Sequence, residues 1–315
     1  MLARVALLGE IDARTFAVLD DRYGVLRMPP ACDGIHRGLA ACQVLVTNGV
    51  EGVTESELDR LPALKLIASL GSSADTVALD ACRARGIQVT NTPGVLAEDV
   101  ADLALGLLIA AVRRICVGHD FVRSGQWSNR RMPLTGSLRG ARVGILGLGR
   151  IGSALARRCV ACEMEVSYHG RNRKADVNYR FWPDLLSMAD ACTILIACCP
   201  GGESTHGLIS REVLSALGPQ GTFVNVARGS IVDEQAMIEL LETGRLGAAA
   251  LDVFENEPHV PEALTALDNV VLQPHQGSAT ASARHAMSNQ LIENVDAFFA
   301  NRRLLTPVTD DFEGD

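Results

Sequence analysis

This sequence predicts an α/β protein of two domains, one of them a doubly wound parallel sheet. Three observations carry the prediction. Short apolar runs alternate with helix-like spacers along almost all of the 315 residues, the pattern of βαβ units and parallel sheets. A glycine fingerprint, Gly147-x-Gly149-x-x-Gly152, stands between the apolar run RVGILG and the helical stretch SALARRCVACEM. A break at Thr92-Pro93-Gly94, followed by one long apolar stretch, separates two such alternations.

The first alternation has strand candidates at 4–9, 44–48, 64–71 and 86–91, with helix-like spacers such as 56–64 and 75–86. Residues 97–118 then read as one long helix. Glu98 and Asp99 lie in its first turn and Arg113 and Arg114 near its end, as the macrodipole favours. Its apolar face is broad enough to require burial. We read it as a connector that also packs against a partner subunit; burial within one monomer would explain it equally. The second alternation places strands at 142–147, 165–170, 191–200, 222–229, 247–254 and 269–275, with helical spacers such as 233–244. Six strands with the fingerprint after the first make a dinucleotide-binding, Rossmann-type sheet. A last helix over 279–300 has no strand to follow it, so it is expected to return to the first domain. That gives a discontinuous domain of residues 1–97 and 280–315, and a second of residues 98–279.

Composition excludes other classes. The chain is 48% hydrophobic and 21% charged, ordinary globular material. A net charge of −8 argues against a nucleic-acid surface, which needs clustered Lys and Arg. No apolar run approaches the roughly 18–20 residues of a membrane span. The start, MLARVALLGEID, meets Glu10 and Asp12 too soon for a signal peptide. Nine scattered cysteines (Cys32, Cys42, Cys82, Cys116, Cys159, Cys162, Cys192, Cys198 and Cys199) suggest free thiols and a cytoplasmic, reducing location. Neither Cys159/Cys162 nor Cys198/Cys199 has the second pair or nearby His that zinc spacing demands, so no metal is expected.

The fingerprint assigns a job to each glycine: Gly147 turns the chain, Gly149 admits a pyrophosphate, and Gly152 lets helix pack on strand. Arg150 and Ile151 open the helix whose N-terminal N–H groups face the phosphates. Ligands of open parallel sheets bind at the carboxyl ends of the strands. The residues there are the Gly147 loop, Gly170-Arg171, Cys199-Pro200, Arg228 after Ala227, Asp252 with Glu257, and His275 with Gly277 two positions on. A cation, a carboxylate and an imidazole beside a nicotinamide suit one reaction, hydride transfer to or from a carbon whose oxygen gains or loses a proton. The imidazole moves the hydroxyl proton, the carboxylate orients it and favours its protonated form, and the arginine clamps a carboxylate.

The chain resembles the D-isomer-specific 2-hydroxyacid dehydrogenases, nearest to glyoxylate/hydroxypyruvate reductase-like members. The resemblance lies in TNTPGVLAEDVADLALGLLIA, GILGLGRIG, VNVARGSIVDE, ALDVFENEP and LQPHQGSAT. It implies a smaller, flavodoxin-like substrate domain beside the Rossmann domain, a cleft that closes between them, and a homodimer built around the long helix. It implies that Arg228 binds substrate, Glu257 partners the acid/base His275, and Asp252 holds the nicotinamide carboxamide. It also implies that the SLGSSAD loop (Leu70, Gly71, Ser72 and Ser73) cradles the substrate carboxylate; Asn48-Gly49 and the stretch Gln126–Pro133 are further candidates to line the pocket. The chain departs from the family pattern at Ser73 and Ala74, where a glycine and a bulkier residue are usual. The small Ala74 suggests extra room, so glyoxylate, hydroxypyruvate and bulkier 2-oxo acids all stay open.

The cofactor can also be read. An acidic residue about 20 positions past the fingerprint normally holds the ribose 2′-OH. Here the segment is Gly170-Arg171-Asn172-Arg173-Lys174. Without that acid, and with arginines in place, a 2′-phosphate is accommodated, so NADP(H) is expected over NAD(H). The alternative from a different class is a cofactor-sensing scaffold of the same fold without turnover. Intact Arg228, Glu257 and His275 disfavour it.

Overall fold

The structure, a computed structural model, describes residues 4–29 and 38–308. Cys32, residues 1–3 and the polar tail from 309 lie outside the described residues. The chain divides into two compact units, one holding the residues up to 96 and those from 281 on, the other Ala97–Thr280.

The first unit contains β1 (Val5–Leu8), α1 (Ala13–Tyr23), β2 (Val25–Arg27), β3 (Val44–Thr47), α2 (Glu55–Asp59), β4 (Leu66–Ser69), α3 (Leu79–Ala84) and β5 (Gln88–Thr90). Its strands are parallel in the order β2-β1-β3-β4-β5, the flavodoxin-like arrangement. β3 and β4 are buried along their whole length, which is why they read as continuous apolar runs. Asp12 starts α1 by accepting the Thr15 N–H at 3.0 Å, the usual N-cap bond. The C-terminal helix of the chain, Ala281–Phe299, packs in this unit against α1 and β4.

The second unit runs through α4 (Ala97–Val112), α5 (Ile115–Arg123), β6 (Arg142–Leu146), α6 (Arg150–Ala161), β7 (Glu165–His169), β8 (Arg180–Trp182), α7 (Leu185–Ala191), β9 (Ile194–Ala197), α8 (Arg211–Leu217), β10 (Thr222–Asn225), α9 (Glu234–Glu242), β11 (Ala248–Leu251), α10 (Glu262–Thr265) and β12 (Val270–Leu272); the C-terminal helix above is α11. Its sheet is parallel in the order β12-β11-β10-β9-β6-β7-β8. Counted from β6, that is the Rossmann order with one further strand at the end beyond the sixth.

Two expectations are corrected here. The stretch 97–118 is two helices, because Arg114 takes a left-handed backbone (φ 49°) and starts a new helix. α4 buries Val100, Ala104, Leu107 and Leu108, and α6, β10, β11 and β12 of the same chain lie against it. That part of its apolar face is buried within the one chain, whereas Leu103, Leu105 and Ile109 on the same helix stay half-exposed. Two strands are additional to those expected, β2 and β8, and each is an edge strand of three residues.

Candidate active site

The fingerprint loop fits a dinucleotide on its own geometry. β6 ends at Leu146, Gly147 turns with φ +91°, and α6 starts at Arg150. A Cβ at Gly152 would sit 2.1 Å from the Gly147 carbonyl oxygen. Only glycine lets α6 begin this close to the strand, which aims its first-turn N–H groups past the loop. Those are the donors a helix leaves without intrahelical partners, and the dipole there favours a phosphate. The loop is tied to both neighbours. Gly147 N–H donates to the His169 carbonyl at 2.9 Å, and the space beside Gly147 is closed by the Cys199 backbone. Burial pushes the Cys199 thiol up to about 11, so it lines the site as a neutral group.

β7 delivers the basic segment to the same edge. Arg171, Asn172, Arg173 and Lys174 are exposed. The fully buried Tyr168 anchors them, its hydroxyl accepting the Lys174 N–H at 2.7 Å. A Cβ at Gly170 would meet nothing within 4 Å.

The chemical groups come from the turns after β10, β11 and β12. Asn225, 1% exposed at the end of β10, folds the next turn back on itself. Its Oδ1 accepts the Ala227 N–H and its Nδ2 donates to the Arg228 carbonyl, both at 3.0 Å. Arg228 is half-buried, and its Nη1 donates to the Ala227 carbonyl at 2.8 Å. A Cβ at Gly229 would lie 1.9 Å from the Phe254 carbonyl carbon. Glycine is thus what allows the Arg228 turn to press on the loop carrying Glu257. Glu234, 7% exposed, grips the same loop by accepting the Glu255 N–H at 3.1 Å.

Asp252 leaves β11 almost fully buried and accepts the N–H groups of Gln276 (2.6 Å) and Gly277 (2.8 Å). Its own carbonyl accepts the His275 N–H at 2.8 Å. These bonds hold His275 at φ 54°, a conformation that costs a non-glycine residue on the order of 1 kcal/mol or more. Burial pushes the Asp252 carboxyl up, against the two N–H bonds and the charge of His275.

His275 Nδ1 lies 2.7 Å from Glu257 Oε2, and Glu257 Oε1 accepts the Phe254 N–H at 3.1 Å. Burial works to raise Glu257, but its bonds from His275 and Phe254 and the charges of His275 and Arg228 outweigh it. The carboxyl is held below the usual 4.5. An ionised carboxylate only accepts, which assigns the proton between the pair to Nδ1 and leaves Nε2 as the atom open to a substrate. The imidazole is 40% exposed.

Nucleotide-binding and acid–base features thus lie at one edge of one sheet. The NAD-binding-domain model of the D-isomer-specific 2-hydroxyacid dehydrogenases matches residues 105–277. The chain belongs to that family. Glyoxylate/hydroxypyruvate reductase A of Arabidopsis thaliana is 43% identical over 293 residues, 92% of this chain and 94% of that protein. The hydroxyphenylpyruvate reductase of Plectranthus scutellarioides is 42% identical over the same span and shares. Among solved structures, an NADPH-dependent glyoxylate/hydroxypyruvate reductase of Sinorhizobium meliloti, crystallised with NADP and malonate, superposes with a TM-score of 0.92. It is 39% identical, with 98% of this chain and 97% of that one covered. As a D-2-hydroxyacid dehydrogenase the protein is an NAD(P)-dependent oxidoreductase.

The dehydrogenase's other unit carries the loop after β4. Gly71 and Ser72 turn their carbonyls to the end of β5: Gly71 O accepts Thr92 N–H (2.7 Å) and Oγ1 (3.1 Å), and Ser72 O accepts Asn91 Nδ2 (2.8 Å). A trans peptide sets C=O and N–H on opposite sides, so the Ser72 and Ser73 N–H groups face away from β5. Leu70 is buried, and its carbonyl oxygen lies against Gly49. Asn48 Oδ1 caps the N–H groups of Val50 and Glu51, each at 3.0 Å. Ala74 corrects an expectation: it is 6% exposed in the apolar core with Val53, Val77 and Cys82. Its size is set by core packing and does not report room for substrate. The sequence reading missed Asn91, Thr92, Asn225, Gly229 and Glu234 as supports. All five lie inside the stretches TNTPGVLAEDVADLALGLLIA and VNVARGSIVDE, whose resemblance to the family was the signal that could have found them.

The Cys159/Cys162 pair has a structural setting. Cys159 is buried in α6, where burial and the neighbouring Cys162 push its thiol up to about 12. Among the described residues every cysteine is a free thiol, and no helix is long and apolar enough to cross a membrane.

Proposed function

We propose that the protein reduces small 2-oxo acids to D-2-hydroxy acids with NADPH, in the cytoplasm. The observation that carries this reading is the His275–Glu257 pair, with the Arg228 charge acting on it, at the nucleotide edge of the sheet. Bound there, the nicotinamide supplies the hydride. His275 Nε2 gives its proton to the substrate carbonyl oxygen as that oxygen becomes a hydroxyl. Glu257 holds the ring through Nδ1 and stabilises the imidazolium that starts the step. Arg228 binds the substrate and polarises its carbonyl. The Ser72 and Ser73 N–H groups take the substrate carboxylate, and Asp252 holds the turns around the nicotinamide carboxamide. Arg171 and Arg173 take the 2′-phosphate.

The test is a panel of 2-oxo acids assayed with both cofactors at 340 nm. NADPH oxidation with glyoxylate or hydroxypyruvate, yielding the D-product where the product is chiral, is the expected outcome. Tight NADPH binding without turnover on any 2-oxo acid would point to a scaffold instead. The double variant Gly170→Asp/Arg171→Ala restores an acid for the ribose 2′-OH where there is space for it. It shifts the NADPH/NADH ratio of kcat/KM toward NADH by about 10- to 100-fold, the range of one charge-assisted hydrogen bond worth roughly 1.5–3 kcal/mol. An unmoved ratio would remove this loop from cofactor choice.

We further propose a homodimer, supported by apolar side chains left in the open beyond α4. Ile115 is 51%, Val122 55%, Trp127 69% and Leu134 99% exposed, more than scattered surface residues explain. Analytical ultracentrifugation is expected to give a dimer, and Leu134→Asp with Trp127→Asp a monomer. A wild-type monomer would refute this part.

A further inference from the structure

The segment 304–308 returns to β5, the strand that leads into Asn91. Thr90 and Pro307 form an antiparallel bridge, and Val308 N–H donates to the Val89 carbonyl at 2.8 Å. Between this segment, α11 and the loop after β4 runs an unbroken chain of polar contacts. Asn294 of α11 is fully buried. Its Oδ1 accepts the N–H groups of Leu305 (2.9 Å) and Thr306 (3.2 Å), and its Nδ2 donates to Thr306 Oγ1 at 2.8 Å. Thr306 Oγ1 donates to the Asn91 carbonyl at 2.6 Å. Asn91, 8% exposed, then donates from Nδ2 to the Ser72 carbonyl at 2.8 Å. Residues 215 apart in sequence thus bear on one peptide of the loop.

We propose that Thr306 is a positioning residue for the substrate-carboxylate site. It fixes Asn91, and Asn91 fixes the peptide whose N–H is that of Ser73. The inference rests on the reading that this loop binds the carboxylate. The physical reason is preorganisation: donors already aimed at an anion lose no ordering energy when it binds. Gly71 leaves the backbone at the start of the loop wide conformational freedom, so the tether at the Ser72 carbonyl bears on that aim. Thr306 is the link at which the chain can be cut with least disturbance. Its hydroxyl both accepts from Asn294 and donates to Asn91, and valine has the same shape without either bond. Serine keeps both.

The experiment compares Thr306→Val and Thr306→Ser in the full chain. It measures KM for glyoxylate and hydroxypyruvate, the Kd of the unreactive analogue oxamate in the presence of NADPH, and the Kd of NADPH itself. Thr306→Val raises the substrate KM and oxamate Kd by about 3- to 10-fold, the range of one net hydrogen bond, with kcat and NADPH affinity within about twofold. Thr306→Ser stays within about twofold throughout. Ser73→Pro, which deletes one of the two N–H donors, separates the two levels of the claim. If Ser73→Pro weakens oxamate and a folded Thr306→Val does not, the loop binds the anion and Thr306 does not position it. If neither changes oxamate, the carboxylate reading fails and takes this inference with it. Parallel loss of NADPH and oxamate affinity in Thr306→Val also overturns it, since a general loosening would do that.

Discussion

Replacing His275 by alanine is expected to lower kcat for 2-oxo acid reduction by about 10²–10⁴-fold, the range of positioned acid–base catalysis, with the Kd of NADPH unchanged. The magnitude follows from where the ring sits. Nδ1 is committed to Glu257 at 2.7 Å, so Nε2 is the one protonic atom this pair offers to a substrate. Asp252 fixes the turn behind it through Gln276 and Gly277. Alanine removes the proton donor without disturbing those bonds, because they use the backbone of 276 and 277 and not the imidazole. NADPH affinity is therefore the internal control, and fluorescence titration of the variant measures it. Added imidazole restoring part of the rate would show that a missing proton donor, and not a distorted turn, is the cause. Near-normal turnover would take His275 out of the mechanism.

Arg228→Ala is the second large effect, a fall in kcat/KM of about 30- to 5000-fold. That corresponds to the roughly 2–5 kcal/mol lost when one partner of a buried charge pair is truncated. Arg228→Lys recovers only part of it, since an ammonium cannot offer the planar fork of a guanidinium. A second consequence has a definite sign. The charge of Arg228 is one of the influences holding Glu257 below 4.5. Without it the carboxylate is lost at higher pH as the solution is acidified. The acid side of the pH–rate profile of Arg228→Ala should therefore begin its decline at higher pH than in the wild type. A profile that keeps its position while kcat/KM falls would mean Arg228 acts on substrate alone.

Most of the fold could be read in the sequence because parallel strands buried on both faces leave a plain signature. β3, β4, β9 and β10 are buried at every position, and each is apolar but for at most one polar residue at either end. β2 and β8 sit at sheet edges, half-buried and three residues long, too short and too polar to announce themselves. The break at Arg114 was hidden for another reason. The residues on both sides favour helix, and a single left-handed residue leaves no mark in an apolar pattern. The chemical residues were legible because a parallel sheet gathers its strand ends at one edge, so Arg228, Glu257 and His275 could be named from strand order. What supports them was not. Gly229 matters because Phe254 lies against it, and Asn91 because Thr306 reaches it from near the chain's far end. Such partners are set by tertiary approach, which spacing along the chain does not record. Ala74 misled for the same reason, its small size answering to a core.

The central claim is that His275, held by Glu257, hands a proton to the carbonyl oxygen of a 2-oxo acid. A crystal structure of the enzyme with NADP and oxamate tests it most directly. The account requires Nε2 of His275 within about 3 Å of the oxamate carbonyl oxygen, with Nδ1 still on Glu257. An imidazole turned away from the analogue, with no carboxylate beside it, would contradict the account.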